Sequence, residues 1–380
     1  MRAKERESTR QLAWKLLEEY GREQKFLNQR IEQIVSSFDP SLRCAKPVRL
    51  ATRTAEPLNG RFQLPPVPER ATILAADGSQ IVPDRHAEAE YGLINLGAIH
   101  MERGSTDPPV TVVKSMLYFD EGLNTETGQM SEGRLALERD YYERQIQSEL
   151  SKDLPGPIIS FTDGPMELWG LQDGSDATAY RQVLGDYLRV LADLHEMGVA
   201  AAGYVDKPAA NMVLRTLEVA MLPEDELHTI RSVYPLRPVS DFWLFRKLLQ
   251  PGERSAVFGI QSRSTKSYAD ELGLHFFYLN VGAPRRPSLA RVEVPAWVVE
   301  APEMLDNLHA VLVEQCRIMG QRSYPYLLHR AHETAVVSFQ EKEQVTLMIL
   351  QELRRRGVEV GELSDKQAAK DLQGRTRYRG

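Results

Sequence analysis

The sequence predicts an α/β fold: a mixed sheet with a β-β-β-α-β-α-β core, helical insertions and an N-terminal helix. Three observations carry this reading. Three β-rich runs, residues 72–76, 91–99 and 110–119, follow one another with only turn residues between them, as an antiparallel meander does. Two later strand-like runs, 157–162 and 199–205, alternate with helical stretches at 131–150 and 177–197, the pattern of parallel strands reached by helical crossovers. Two apolar runs end in the same dipeptide, Asp77-Gly78 and Asp163-Gly164.

Taken in chain order, Leu12, Leu16, Leu17, Tyr20, Leu27, Ile31 and Ile34 recur at helical spacing, which predicts one long amphipathic helix within residues 1–38. Residues 39–70 contain Pro40, Pro47, Pro57, Pro65, Pro66 and Pro68, a density that forbids regular structure and marks a linker or an extended wrap. A domain spanning 71–357 follows. Its later part reads as helices at 211–221, 240–249, 302–320 and 339–357 and as β-rich runs at 256–261, 274–281 and 290–299, all additions to the same sheet. Residues 358–380 form a basic C-terminal tail. No internal repeat interrupts this order.

The order β-β-β-α-β-α-β is that of ribonuclease H-like folds, in which the first strand, the first helix and the fourth strand each bring an acid to one place. Here those positions offer Asp77, Glu138 and Asp163. Asp77 follows the run Ile73-Leu74-Ala75-Ala76, so its side chain is expected where that strand ends, at the carboxyl edge, with Gly78 making a sharp turn. Asp163 repeats the arrangement after Ile158-Ile159-Ser160-Phe161-Thr162. Carboxylates held together repel, and a divalent cation is the partner that lets them stay ionised. Glu138 lies three residues after Leu135 and four before Tyr142, on the border of the helix's apolar stripe; Glu143 and Glu149 are rival choices. His332 sits among apolar helical residues, where a histidine is more often a hydrogen-bonded core group than a ligand. Lys207, after the fifth strand, offers an ammonium to a phosphate, although a plain strand-terminal lysine is the commoner case.

Composition sets the bounds. A 42% hydrophobic chain of 380 residues can build a substantial core. No apolar run approaches the roughly 20 residues that span a bilayer, and the charged first ten residues lead into no apolar signal region. A cytoplasmic protein without membrane contact is expected. Cys44 and Cys316 form no ligand pattern. The net charge of -6 counts against a nucleic-acid partner, yet acids that hold metal would themselves lower it, and basic residues gather at both ends. Three carboxylates and a histidine on one edge suit phosphodiester hydrolysis with two ions, manganese or magnesium.

With these residues in place, the chain resembles the NurA nuclease family. The resemblance rests on Asp77-Gly78-Ser79, the helix with Glu138, the strand ending in Asp163-Gly164, Lys207, and the segment from Tyr324-Pro325 to His332. It implies a ribonuclease H-like fold and a metal site of Asp77, Glu138, Asp163 and His332, with Ser79 and Lys207 at the substrate. It also implies manganese-dependent DNA cleavage, with single-strand endonuclease action and 5′ to 3′ exonuclease action on single- and double-stranded DNA. A homodimer enclosing a DNA channel, and docking onto a HerA-type hexameric translocase in DNA end processing, complete the expectation.

Two other readings are weaker. A haloacid-dehalogenase-type phosphatase needs Asp-x-Asp, and Ala75 and Phe161 stand where the nucleophile would be; no Gly-rich nucleotide loop is present either. A non-catalytic DNA-binding or helicase-adaptor protein with the same fold has no need to gather carboxylates against phosphate.

Overall fold

The structure, a computed structural model, describes residues 2–48, 56–84, 87, 89–125, 128–170, 177–320 and 322–357. The predicted basic tail at 358–380 lies outside the described residues. Two helices, α1 (Arg2–Tyr20) and α2 (Gln24–Ser37), precede two short strands, β1 (Cys44–Pro47) and β2 (Arg61–Phe62). The core follows: β3 (Ala71–Ile81), β4 (Tyr91–Arg103), β5 (Val110–Phe119), the small hairpin β6 (Asn124–Thr125) and β7 (Gly128–Gln129), α3 (Glu132–Ser151), β8 (Ile158–Asp163), α4 (Ala177–Glu196) and β9 (Ala200–Asp206). Then come α5 (Met212–Met221), α6 (Asp241–Leu248), β10 (Arg254–Ser255), β11 (Phe258–Gln261), β12 (Leu274–Asn280), β13 (Leu289–Pro295), α7 (Ala296–Glu300), α8 (Pro302–Ile318), α9 (Tyr326–Ala335) and α10 (Phe339–Arg355).

All of these strands except the β6-β7 hairpin build one sheet in the order β1-β11-β12-β13-β9-β8-β3-β4-β5, with β10 attached to β12 and β2 to β10. Within it, β5-β4-β3 is the antiparallel meander, and β8 and β9 join in parallel through α3 and α4. This is the ribonuclease H-like arrangement the element order predicts. The later strands extend the same sheet, because β13 pairs antiparallel with β9 and carries β12 and β11 outward. Strands β8 and β9 are buried except at their carboxyl ends, as expected where helices cover both faces. Among the described residues, no helix is long and apolar enough to cross a membrane.

Three local expectations are corrected. The N-terminal helix is two helices, broken at Gly21, where the segment Glu56 to Asn59 crosses: Leu58 N–H donates to the Gly21 carbonyl at 2.7 Å, and Gln24 donates to the Glu56 carbonyl at 2.6 Å. A Cβ at Gly21 would stand 3.0 Å from Asn59 Cγ and 2.4 Å from the Leu17 carbonyl oxygen, so the notch depends on a bare backbone. The proline-rich segment does contain regular structure. Its strand β1 pairs with β11 at the sheet edge and ends on Pro47, a place where a missing N–H costs nothing. Finally, β3 does not end before Asp77 but runs on to Ile81, with Asp77 opposite Gly97 of β4.

The described part of the proline-rich segment is fastened by a buried charge pair. Glu56 receives Arg254 Nη1 at 3.0 Å and Nη2 at 2.9 Å, and also the Val257 N–H at 2.9 Å. Arg254 is 1% exposed, so removing its carboxylate strands a guanidinium in the core. Glu56→Ala is expected to cost about 3–5 kcal/mol of unfolding free energy, read as a lower urea midpoint at unchanged slope. A midpoint equal to wild type would show that the pair does not fasten this segment.

Candidate active site

The site forms where two strands part. Strand β3 pairs with β8 from Thr72 to Ala76, the last pair being Ala76 with Thr162, and beyond that point β3 is held only by β4. Side chains from both faces of the sheet can therefore meet past the end of β8. Asp77 shares its face with Gly97, against which α9 packs; a Cβ on Gly97 would stand 2.5 Å from the Ala331 carbonyl oxygen. Gly78 points to the other face, under α3, and a Cβ there would stand 2.7 Å from Arg139 Cγ and 2.9 Å from Glu143 Oε1. Gly78 thus admits a helix rather than making a turn.

The resulting cleft has a volume of about 290 Å³ and is lined by Asp77, Asp140, Glu143, Asp163, Glu167, Arg139, Arg144 and His332, among others. His332 Nδ1 lies 2.7 Å from Asp77 Oδ2, and the Gly78 N–H donates to Asp77 Oδ1 at 2.9 Å. Arg139 Nη2 is 2.7 Å from Asp140, and its Nε is 3.5 Å from Glu143. Arg144 is fully buried, donating to the Ala202 carbonyl at 2.9 Å and to Gln147 at 3.1 Å, while its Nη2 has no protein partner. Asp163 stands exposed at the rim as the last residue of β8, and Gly164 (φ +87°) turns the chain away in a left-handed conformation. The Tyr324 hydroxyl donates to Asp163 at 3.1 Å.

Charge crowding shapes the electrostatics. Burial, then the charges of Asp140 and Asp77, push the Glu143 carboxyl well above the usual carboxylate range, against the pull of Arg139 and Arg144. Asp140 is raised by burial, with Arg139 pulling it back. Asp163 is raised by the surrounding protein and by the charges of Asp77 and Asp206, while Tyr324 and the Gly164 N–H lower it.

Of the residues expected from sequence, Asp77, Asp163 and His332 come together and three do not. Glu138 is turned towards β5, where it accepts from the Tyr118 hydroxyl at 2.7 Å and from Arg134 at 3.0 Å. Glu143, five residues on, lies about 140° round the helix from it and faces the cleft. Glu149 is paired with Lys114 at 3.0 Å on the exposed side of β5. The Ser79 hydroxyl donates to the Ala335 carbonyl and holds α9 onto β3. Lys207 is outside the cleft, mostly exposed and 3.5 Å from Asp206, with a left-handed φ of 46°. Sequence reasoning passed over Asp140, Arg139, Arg144 and the Tyr324 contact. A signal was available: Arg139, Asp140, Glu143, Arg144 and Gln147 make a polar stripe at helical spacing along α3.

The family model of the NurA domain matches residues 71–337, from the first residue of β3 to just past α9. The chain belongs to the NurA domain family. Helices α1, α2 and α10 and strands β1 and β2 lie outside the matched span. The fold is similar to the crystal structure of the NurA nuclease from Sulfolobus solfataricus, with a TM-score of 0.50 at 10% identity, covering 78% of this chain and 88% of that one. The catalytic domain of human Endonuclease V gives a TM-score of 0.32 at 14% identity, covering 74% and 84%. Comparison with curated proteins gives no match.

The NurA-domain cleft suits a hard divalent cation in the kind of donor it presents, since carboxylate oxygens crowd together and burial raises both of the α3 carboxyls, Asp140 and Glu143. Among the described residues no three His, Cys, Asp or Glu groups stand close enough to close a metal shell. Arg139 and His332 occupy the carboxylates instead, so ligation requires those side chains to turn.

A carboxyl raised in the folded state keeps its proton to higher pH than in the unfolded chain, so stability is lost as pH rises from the unfolded value through the folded one. In chelator, the melting temperature is expected to fall from mildly acid to neutral pH, less steeply in Glu143→Gln, with manganese restoring more of it in wild type than in the variant. Identical pH profiles for the two proteins would refute the crowding of Glu143.

Proposed function

We propose that this chain is a metal-dependent deoxyribonuclease that hydrolyses phosphodiester bonds in the acidic cleft. Family membership supports a nuclease. The observation that carries the site-level reading is that Asp77 from β3, Glu143 from α3 and Asp163 from β8 line one cleft at the strand edge, with two arginines beside them. In this reading Asp77, Glu143 and Asp163 hold manganese or magnesium, with Asp140 and His332 within reach, and Glu143 takes the place first expected of Glu138. When bound, one or two such ions supply Lewis-acid polarisation of the phosphate and a water of lowered pKa.

The chain's own groups do the positioning. His332 braces Asp77 through Nδ1 and leaves Nε2 without a protein partner among the described residues, open to a ligand or to a proton of the attacking water. Tyr324 fixes the rotamer of Asp163. Arg139, once released from Asp140 and Glu143, supplies a donor for the phosphate oxygens, and buried Arg144 adds its positive charge from beneath the cleft.

In this reading the finer activity is single-strand endonuclease action with 5′ to 3′ digestion of single- and double-stranded DNA, in end processing beside a HerA-type hexameric translocase in the cytoplasm, as the resemblance to NurA nucleases implies. A homodimer has local support as well. Leu117 and Phe119 of β5 are 53% and 38% exposed, opposite Leu93 and Tyr91 of β4, the residues on which α10 packs. Leu347 and Met348 of α10 are 57% and 68% exposed, so this side of the sheet offers apolar area to a second copy.

Cleavage of labelled single-stranded DNA in manganese tests the reading. Asp77→Ala is expected to abolish cutting, Glu143→Gln to reduce kcat by about a hundredfold or more, and Glu138→Gln to stay within the wild-type order of magnitude, all three remaining folded. Normal cutting by Asp77→Ala would sink the proposal, and a Glu138 loss exceeding that of Glu143 would return the helix position to Glu138.

A further inference from the structure

One ion pair separates the acidic cleft from a second cavity. Glu167, 2% exposed and part of the cleft lining, accepts from Arg43 Nη2 at 2.7 Å and from the Ser264 hydroxyl. The Arg43 guanidinium lies 4.9 Å from the ring centre of Trp169, which is 54% exposed. The same Arg43 lines a cavity of about 570 Å³ beyond it.

That cavity is cationic. Arg43, Arg215, Arg231 and Arg237 face Asp39 and Glu218. Asp39 is matched by Arg231 at 3.2 Å, Glu218 by Arg215 at 2.6 Å, and Arg43 is matched by Glu167. Arg237 has no carboxylate partner among the described residues. Its guanidinium lies 3.8 Å from the ring centre of Tyr234, and Arg215 lies 4.3 Å from the same ring. The surplus is therefore one exposed guanidinium beside a partly exposed aromatic ring. A guanidinium fork takes a phosphate, and a guanidinium plane laid over a ring can itself carry a stacked base.

We propose that this cavity is a second phosphate- and base-binding site, which holds the DNA single strand at a nucleotide remote from the bond cut in the cleft. The proposal rests on the nuclease reading for its choice of strand. Continuity favours a strand over a lone nucleotide, because Arg43 and the open Trp169 ring bridge the two cavities and offer a second stacking platform between them. Asp39, Ser41 and Arg43 lie outside the span matched to the family, so this wall is contributed by the chain's N-terminal segment.

The test uses the full chain and labelled oligothymidylates of four and ten nucleotides, with anisotropy in chelator and cleavage in manganese. Arg237→Gln and Tyr234→Ala are each expected to weaken ten-mer binding by about tenfold. Arg237→Gln should also lower the slope of log affinity against log salt by about 0.7, the value of one single-strand phosphate contact. The kcat/KM advantage of the ten-mer over the four-mer should shrink in both variants, with melting temperatures unchanged. Ten-mer binding and length advantage equal to wild type would overturn the site. Thymidine monophosphate that binds wild type as tightly as the ten-mer and is lost in Arg237→Gln would overturn the strand in favour of a nucleotide pocket. Weakened ten-mer binding in both variants, together with a wild type that cuts neither oligonucleotide, would support the strand site while sinking the nuclease reading.

Discussion

Carboxylates crowded past the end of β8 repel one another, and most of the polar architecture around them answers that repulsion. Asp77, Asp140, Glu143 and Asp163 line one small cleft, and each is met by a donor: His332 on Asp77, Arg139 on Asp140 and Glu143, Tyr324 on Asp163. These donors come from α9, α3 itself and the loop before α9, so the charge problem is solved by elements far apart in sequence. The compensation is partial. Glu143 and Asp163 remain above their ordinary ranges, through burial first and the neighbouring carboxylates second.

Packing enforces this crowding. Gly78 and Gly97 lie on opposite faces of the β3-β4 ladder, and each lets a helix rest on bare backbone, α3 on one side and α9 on the other. A side chain at either place would push its helix away and open the cleft. The third wall is held the same way. Gly203 of β9 lets the turn after Asp163 lie close, with a hypothetical Cβ only 2.6 Å from the Gly164 carbonyl oxygen, and buried Glu293 of β13 receives the Met166 N–H at 2.9 Å. The added strands thus brace the turn that aims Asp163, in addition to widening the sheet.

The element order was legible because periodicity survives in each segment: the strands of the core are apolar enough to announce themselves, and α4 carries a clear buried stripe from Tyr180 to Leu194. Three things were not legible. The break at Gly21 depends on a chain segment more than thirty residues away that fills the notch. The strand β1 depends on the edge of β11, which no local pattern around Pro40 and Pro47 reveals. The choice between Glu138 and Glu143 depends on which face of α3 meets β3; the apolar stripe of α3 is thin and nearly half the helix is buried, polar residues included, so proximity to that stripe pointed to a glutamate that faces Tyr118 of β5 and not the cleft.

The net charge of -6 illustrates why a whole-chain quantity can mislead about a partner. Its physical content is an average field, and averaging hides sign changes over distances comparable to the Debye length of roughly 8 Å at physiological salt. In this fold the acids of the cleft are grouped where a divalent cation would invert their local charge, and on the other side of the Glu167–Arg43 pair the balance already favours arginine. A polyanion approaching this surface meets those local fields rather than the mean. Since the grouping is set by the end of β8 and by the N-terminal segment that delivers Arg43, it is the topology, more than the composition, that decides which charges a phosphate can reach.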